Sequence, residues 1–307
     1  LHDGYVKALY KAALQDAINT TDDPTAKPAE VESVVRNCLN RMMEIDLGDL
    51  KQDHIAEYFS GLEAGEAQPV STPWSNLNHA LAGGVAPGEL VIIGARPSVG
   101  KSALAINWAW HSAAVGGNVA VFSLEMSRKQ VFDRIAAKLA QIDLRAFRGK
   151  MTPEHLARVH EAGKSMHGKR LFVDERGMIK PAEIRRVCRK LAKTAPLSLV
   201  VIDYLQLMTP DATTGSREQD VSSISRAAKL LAKDLNVPVL LLSQLNRDCE
   251  KNGREPMLSD LRESGAIEQD ADIVMFLHTS KAEMEAAQKF FRPEKFMVIV
   301  AKGRSTG

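Results

Sequence analysis

Cysteine is scarce in this chain of 307 residues, and so is net charge. Cys38, Cys188 and Cys249 are odd in number, lie far apart and form no metal-ligand pattern. That argues against a disulfide framework or a zinc module and points to the reducing cytoplasm. Cys188 recurs with Ile184 and Leu191 at helical spacing and is expected in the core. The formal net charge is +2, so composition does not announce a nucleic-acid binder, and any basic surface has to be local. No apolar run approaches the roughly 18 residues of a membrane span, and no signal peptide is visible. No membrane association is expected. Internal repeats and low-complexity tracts are also missing. The chain opens on Leu1 rather than Met, so a fragment is expected.

What is present is ordinary core material: 45% hydrophobic and 25% charged residues. That suffices for one large domain with a smaller appendage. Two textures divide the chain. A helical linker or N-terminal appendage is assigned to residues 1–69. Here "YVKALYKAALQDAI", "PAEVESVVRNCLNRMMEI" and "DHIAEYFSGLEAG" read as amphipathic helices separated by the polar stretch "NTTDDPTAKPAE". Such small helices need a surface to dock on.

Residues 70–307 alternate strands with helices. The apolar runs "ELVIIGA", "NVAVFSLE", "RLFVDE", "LSLVVIDYL", "PVLLLSQL", "DIVMFL" and "KFMVIVAK" suit a sheet buried on both faces. With helical patterns such as "SALAINWAWHSAAV" between several of them, the expectation is α/β with a mostly parallel central sheet. Thr152 before Pro153 reads as a helix start, and Asn236 before Pro238 as a helix stop.

"ELVIIGARPSVGKSALAI" runs strand, tight loop, helix, and its loop Ala95-Arg96-Pro97-Ser98-Val99-Gly100-Lys101-Ser102-Ala103 ends as a P-loop does. Backbone N–H groups and the helix N-terminus, carrying roughly +0.5 charge, form an anion cradle. Lys101 suits the β- and γ-phosphates of a nucleotide, and Ser102 suits Mg²⁺. The strict motif has Gly where this chain has Ala95, a mild departure if that position needs no positive φ. Asp203 ends an apolar strand and fits the metal-holding acid that a bound triphosphate needs. Glu125 closes the strand after the P-loop helix and fits a general base, while Gln244 closes another and fits a group that contacts γ-phosphate or water.

These motifs carry a resemblance. "ARPSVGKS", "FSLEM", "VIDYLQLM", "SQLNR" and "DLRESGAIEQDAD" are similar, in order and spacing, to the DnaB-type replicative helicases, over roughly residues 70–307. "GKMTPEHL" also resembles that family, and part of residues 1–66 resembles its linker helix. The resemblance implies a RecA-like P-loop motor in a homo-hexameric ring that hydrolyses ATP or another NTP with Mg²⁺. Such a ring moves 5′→3′ on single-stranded DNA, with primase and a helicase loader as further partners. It implies phosphate and metal binding by Lys101 and Ser102, catalysis by Glu125, a Walker B role for Asp203 and a sensor role for Gln244. Arg134 matches a family arginine near the nucleotide. The DNA-binding loop maps onto Arg262, Glu263 and Gly265. That loop holds no aromatic, which suits phosphate tracking rather than base stacking. Two family parts, a full N-terminal helical domain and a final strand, are absent or shortened here.

Two other classes share parts of this pattern. A RecA-type recombinase has the fold and P-loop, but the "DLRESGAIEQDAD" loop and the Lys-x-Arg ending argue against it. A regulatory ring ATPase would show no DNA-stimulated turnover.

The last strand-like run, "VIVAKGRSTG", looks buried and ends in two cations, Lys302 and Arg304, that need a negative partner. The residues alone leave open which chain's nucleotide they serve. The family resemblance implies that they act in trans, as an arginine finger and its companion on the next subunit.

Overall fold

The computed structural model describes residues 68–211, 215–246, 254–261, 264–280 and 297–304, with positions 18, 31, 33–36, 283 and 285. The chain divides into two compact units, Leu1–Glu66 and Ala67–Gly307. In the first, Ile18, Val31 and residues 33–36 are helical, within two of the expected helices. The rest of those helices, and all of the third, lie outside the described residues.

The second unit is α/β. Its sheet comprises β1 (Leu90–Ala95), β2 (Asn118–Ser123), β3 (Arg170–Asp174), β4 (Leu199–Asp203), β5 (Val239–Gln244), β6 (Ile273–His278) and β7 (Met297–Gly303). The order across the sheet is β3-β2-β4-β5-β1-β6-β7. The first six strands are mutually parallel, and β7 runs antiparallel to β6. The helices are α1 (Ser75–Ala80), α2 (Lys101–Ala114), α3 (Arg128–Ala140), α4 (Pro153–Met166), α5 (Pro181–Ala192), α6 (Arg217–Leu235) and α7 (Ser264–Asp270).

The continuous apolar runs are explained by two cores, one on each face. Along β1, Leu90 and Ile92 join one core with Ile184, Cys188, Val221, Ile224 and Ile267. Val91 and Ile93 join the other with Leu104, Trp108, Val131 and Ile135. Alternate side chains of one strand thus enter opposite cores, so every position is apolar. Burial of each such side chain is worth about 1.5–3 kcal/mol. Cys188 is fully buried, and that burial pushes its thiol up to about 12.

Helix boundaries follow local chemistry. Thr152 Oγ1 accepts from His155 N at 3.2 Å, with Pro153 in the first turn of α4. Asn236 closes α6 in the left-handed region at φ 50°.

One expectation is corrected. The final strand, β7, is an edge strand and only partly buried. An apolar run states that a strand has cover, not how much, and among the described residues β7 has a neighbour on one side alone.

Parallel pairing decides where the chemistry collects. The C-terminal ends of β1, β2, β4 and β5 lie at one sheet edge, where loops of open α/β sheets form a crevice. Because β7 is reversed, its C-terminal end lies at the opposite edge, where Lys302 pairs with Val274 at the start of β6.

Candidate functional site

The loop after β1 is shaped by two left-handed positions, Ser98 at φ 64° and Gly100 at φ 101°. Gly100 caps α2, so the chain turns directly from loop into helix with its N–H groups gathered at one point. Ala95 is the last residue of β1, paired with Gln244 and Leu277, and needs no positive φ. The glycine one place earlier answers to packing. A Cβ on Gly94 would meet Phe276 Cδ1 at 2.8 Å and Leu245 Cδ2 at 2.9 Å.

Asp203 is placed by strand register. β4 pairs with β2 through Ser123↔Asp203, and Leu124 N then donates to Asp203 O at 2.7 Å. The next residues form a tight turn, in which Ser123 Oγ accepts from Met126 N at 3.2 Å and donates to Met126 O at 2.8 Å. Glu125 stands exposed on that turn, immediately beside the Asp203 strand end.

The result is a cleft of about 360 Å³. Ala95, Arg96, Pro97, Ser98, Gly100, Lys101, Ser102 and Ala103 line it from the loop and α2, Glu125 from the β2 turn, Arg134 from α3 and Gln244 from β5. Val99 instead turns into the apolar core, so only its backbone can serve the loop. Arg96 is anchored across β6, donating from its guanidinium to Thr279 O at 2.9 Å.

Lys101 is nearly buried, and its Nζ lies 3.8 Å from Asp203 Oδ1. Burial holds its ammonium below the usual lysine range, while the charges of Asp203 and Glu125 pull it back up. The same nitrogen sits 4.2 Å from the centre of the Tyr204 ring. Asp203 is buried, and its Oδ1 has no hydrogen-bond partner among the described residues. Such an atom is costly unless a cation or water completes it. With the Ser102 hydroxyl on the same cleft, this donor set fits a Mg²⁺ held by one carboxylate, one hydroxyl and substrate phosphates.

Two residues here were not singled out from sequence. Tyr204 lines the cleft beneath Lys101. Gln206, three residues after Asp203, bonds to the end of β5. Both lie within "VIDYLQLM", so the signal was their place just after the acid.

The remaining candidates lie elsewhere. Lys302 donates from Nζ to Ala271 O at 2.8 Å and also to Glu268 O. Arg304 donates to Gln269 O at 2.6 Å, and its guanidinium lies 3.5 Å from Asp272 Oδ1. Both cations therefore sit on the C-terminal end of α7, where carbonyls carry partial negative charge. Partial burial and the neighbouring Arg304 lower the Lys302 ammonium from its usual range, and Glu268, Asp272 and Asp270 oppose that. Gly265 is exposed in the first turn of α7, with open space where a side chain would stand. Arg262 and Glu263 lie outside the described residues.

Comparison with known proteins now adds a family. Residues 69–307 match the model of the DnaB-like helicase C terminal domain. The chain is 36% identical over 287 residues to the replicative DNA helicase DnaB of Geobacillus stearothermophilus, covering 89% of this chain and 63% of that protein. It is 41% identical over 222 residues to that of Leifsonia xyli, covering 71% and 48%. Among solved structures, a DnaB-like replicative helicase studied for its interactions with primase superposes with a TM-score of 0.78 at 27% identity. That match covers 98% of this chain and 72% of the other. A second solved structure, an isolated ATPase domain, superposes with a TM-score of 0.71 at 29% identity, covering 82% and 90%. The chain thus spans 63% and 48% of the length of the two curated relatives. The fold is that of the RecA-like ATPase domains in these helicases, and the chain belongs to the DnaB-like helicase C-terminal domain family.

Proposed function

We propose that this chain is the ATP-hydrolysing motor of a replicative DNA helicase, a homo-hexameric ring that translocates 5′→3′ on single-stranded DNA in the cytoplasm. The observation that carries the reading is the gathering of Lys101, Ser102, Glu125, Asp203 and Gln244 at one edge of the sheet. Phosphoryl transfer needs little beyond positioning and charge, and this edge supplies both.

In this reading the P-loop amides and Lys101 hold the triphosphate, and Arg134 flanks the nucleotide. Ser102 and Asp203 would hold a Mg²⁺, which when bound would supply neutralisation of phosphate charge. Glu125 takes a proton from the attacking water, for which its exposed carboxylate on a fixed turn is suited. Gln244 orients that water or the γ-phosphate. It also passes the nucleotide's state along the chain, because Leu245 bridges to Leu261, the residue before Arg262. Arg262, Glu263 and Gly265 then contact the DNA backbone, Arg262 through its charge and the other two through backbone N–H groups.

Lys302 and Arg304 act in trans. The placement of β7 supports this, since both lie at the sheet edge away from their own chain's P-loop. A primase and a helicase loader are further partners, and the chain divides by role into a linker or N-terminal appendage, residues 1–69, and a motor domain, residues 70–307.

Forked-duplex unwinding with ATP tests the proposal directly. The chain should unwind a fork bearing a 5′ single-stranded tail, and Lys101→Ala should not. Strand exchange without unwinding would identify a recombinase, and ATP turnover indifferent to single-stranded DNA would identify a regulatory ATPase.

A further inference from the structure

Gln206 makes the least expected contacts near the cleft. It lies in the short 3-10 turn Leu205–Leu207 that follows Asp203. Its Nε2 donates to Ser243 Oγ at 3.0 Å and to Gln244 O at 3.3 Å. Its Oε1 accepts from Gln244 N at 3.2 Å. One side-chain amide thus serves both backbone groups of Gln244.

Sheet pairing explains why they need serving. β4 and β5 stay paired only through Val200, Val201 and Ile202, the last opposite Leu241. Beyond that point β4 turns away at Asp203, while β5 continues three residues further to Gln244. On its other side β5 remains paired with β1 as far as Ala95↔Gln244. The end of β5 would therefore show an unpaired N–H and C=O towards the departed β4. A primary amide presents one donor and one acceptor in the geometry of a peptide unit, so Gln206 extends the ladder where the backbone has left it. Its own carbonyl is tied by Arg217, which donates at 2.7 Å.

We infer that Gln206 is the positioning residue for Gln244: it replaces the missing strand pairing at the end of β5 and so fixes the amide that faces the nucleotide cleft. It also makes the Asp203 turn and the Gln244 strand end one rigid piece, because the clamp lies three residues from the acid. The inference rests on the reading of Gln244 as the γ-phosphate sensor. Gln206 itself is not among the residues that line the cleft.

The test uses the full chain with Mg-ATP and an oligo-dT strand, comparing Gln206→Leu, Gln244→Ala and the double variant. Leu keeps the volume and removes donor and acceptor. Gln206→Leu should lower DNA-stimulated kcat about tenfold, the worth of roughly one hydrogen bond kept to the transition state, with KM for ATP within about twofold. In the Gln244→Ala background the same change should cost less than about twofold, because the clamp then has no sensor to hold. Hydrogen exchange across residues 239–246 should quicken in Gln206→Leu while the melting temperature holds. Losses that multiply in the double variant would overturn the inference, as would unchanged exchange. If Gln244→Ala alone leaves DNA-stimulated turnover at its normal rate, the sensor reading fails, and the exchange measurement still decides the clamp.

Discussion

Val274 and Lys302 face each other across an antiparallel ladder, and this pairing puts Lys302 at the far end of the sheet from Lys101. A subunit with this topology cannot bring its own Lys302 and Arg304 to its own P-loop without tearing β7 from β6. Mixed assemblies turn the point into a measurement. Lys101→Ala and Arg304→Ala subunits, each nearly inactive alone, should regain ATPase when mixed, since some interfaces recover both intact halves. An arginine finger is worth on the order of 10³–10⁵ in rate, so even a small share of repaired interfaces stands far above background. No recovery in rings verified to be mixed would rule the trans role out.

The ring of Tyr204 under the Lys101 ammonium makes a second expectation. The contact, 4.2 Å from nitrogen to ring centre, adds a cation–π attraction to the ammonium. Tyr204→Ala should raise KM for ATP about two- to fivefold, the value of roughly 0.5–1 kcal/mol in a cation–π pair, and Tyr204→Phe should be close to normal. Steady-state ATPase kinetics distinguish them. Equal damage in both variants would place the role in the hydroxyl instead.

Much of this was legible from composition along the chain, and the gaps have physical causes. Among the described residues, the central strands β1, β2, β4, β5 and β6 read as continuous apolar runs because a core covers each face of the sheet there. An apolar run has no direction, however, so nothing in "KFMVIVAK" told that β7 runs backwards or that Lys302 comes to rest on α7. Lys101 could be picked out from the P-loop pattern and Glu125, Asp203 and Gln244 as strand-end polar residues; Lys101, Glu125 and Gln244 line one cleft, with Asp203 Oδ1 3.8 Å from Lys101 Nζ behind it. Tyr204 and Gln206 offered only their place just after the acid, because their contacts depend on where β4 bends away from β5. Gly94, one place before Ala95, is constrained by packing, since a Cβ there would meet the Phe276 ring across the sheet.

DNA binding should carry the signature of phosphate contacts. Arg262→Ala should weaken binding to single strands of any sequence alike and make the log–log salt dependence shallower by about 0.7, the value of one contact on a single strand. Fluorescence anisotropy over a salt series reads both. A loss confined to particular base sequences would contradict backbone tracking.

A buried ion pair anchors the opposite edge. Lys229 Nζ lies 2.6 Å from Asp272 Oδ2, which also accepts from Leu90 N at 2.7 Å, and Lys229 donates to Gly88 O at 2.9 Å. Asp272→Ala strands a buried ammonium and the first amide of β1, so it should destabilise the fold by about 3–5 kcal/mol. Urea unfolding of the variant checks this. A change below about 1 kcal/mol would mean that water relieves the stranded groups.

Acid should loosen the segment that ends at Leu261. Arg254 makes paired hydrogen bonds of 2.6 Å to Asp260 and, with Met257 N, holds that carboxyl below its usual range. A carboxylate depressed in the folded state stabilises above its unfolded pKa and loses that contribution as pH falls through its folded value. Protection factors across residues 254–261 should therefore fall only below the ordinary aspartate range, near pH 4, and Asp260→Asn should abolish that fall.

The contacts at the end of α7 alter how any encounter with an outside anion has to be counted. Lys302 and Arg304 already satisfy the carbonyls of Glu268, Gln269 and Ala271. Contact with an outside phosphate is thus an exchange, and its net gain is the difference between two sets of bonds to the same cations. Such a swap can be strong in each state and still nearly level between them, which is what the proposed trans role of these cations requires.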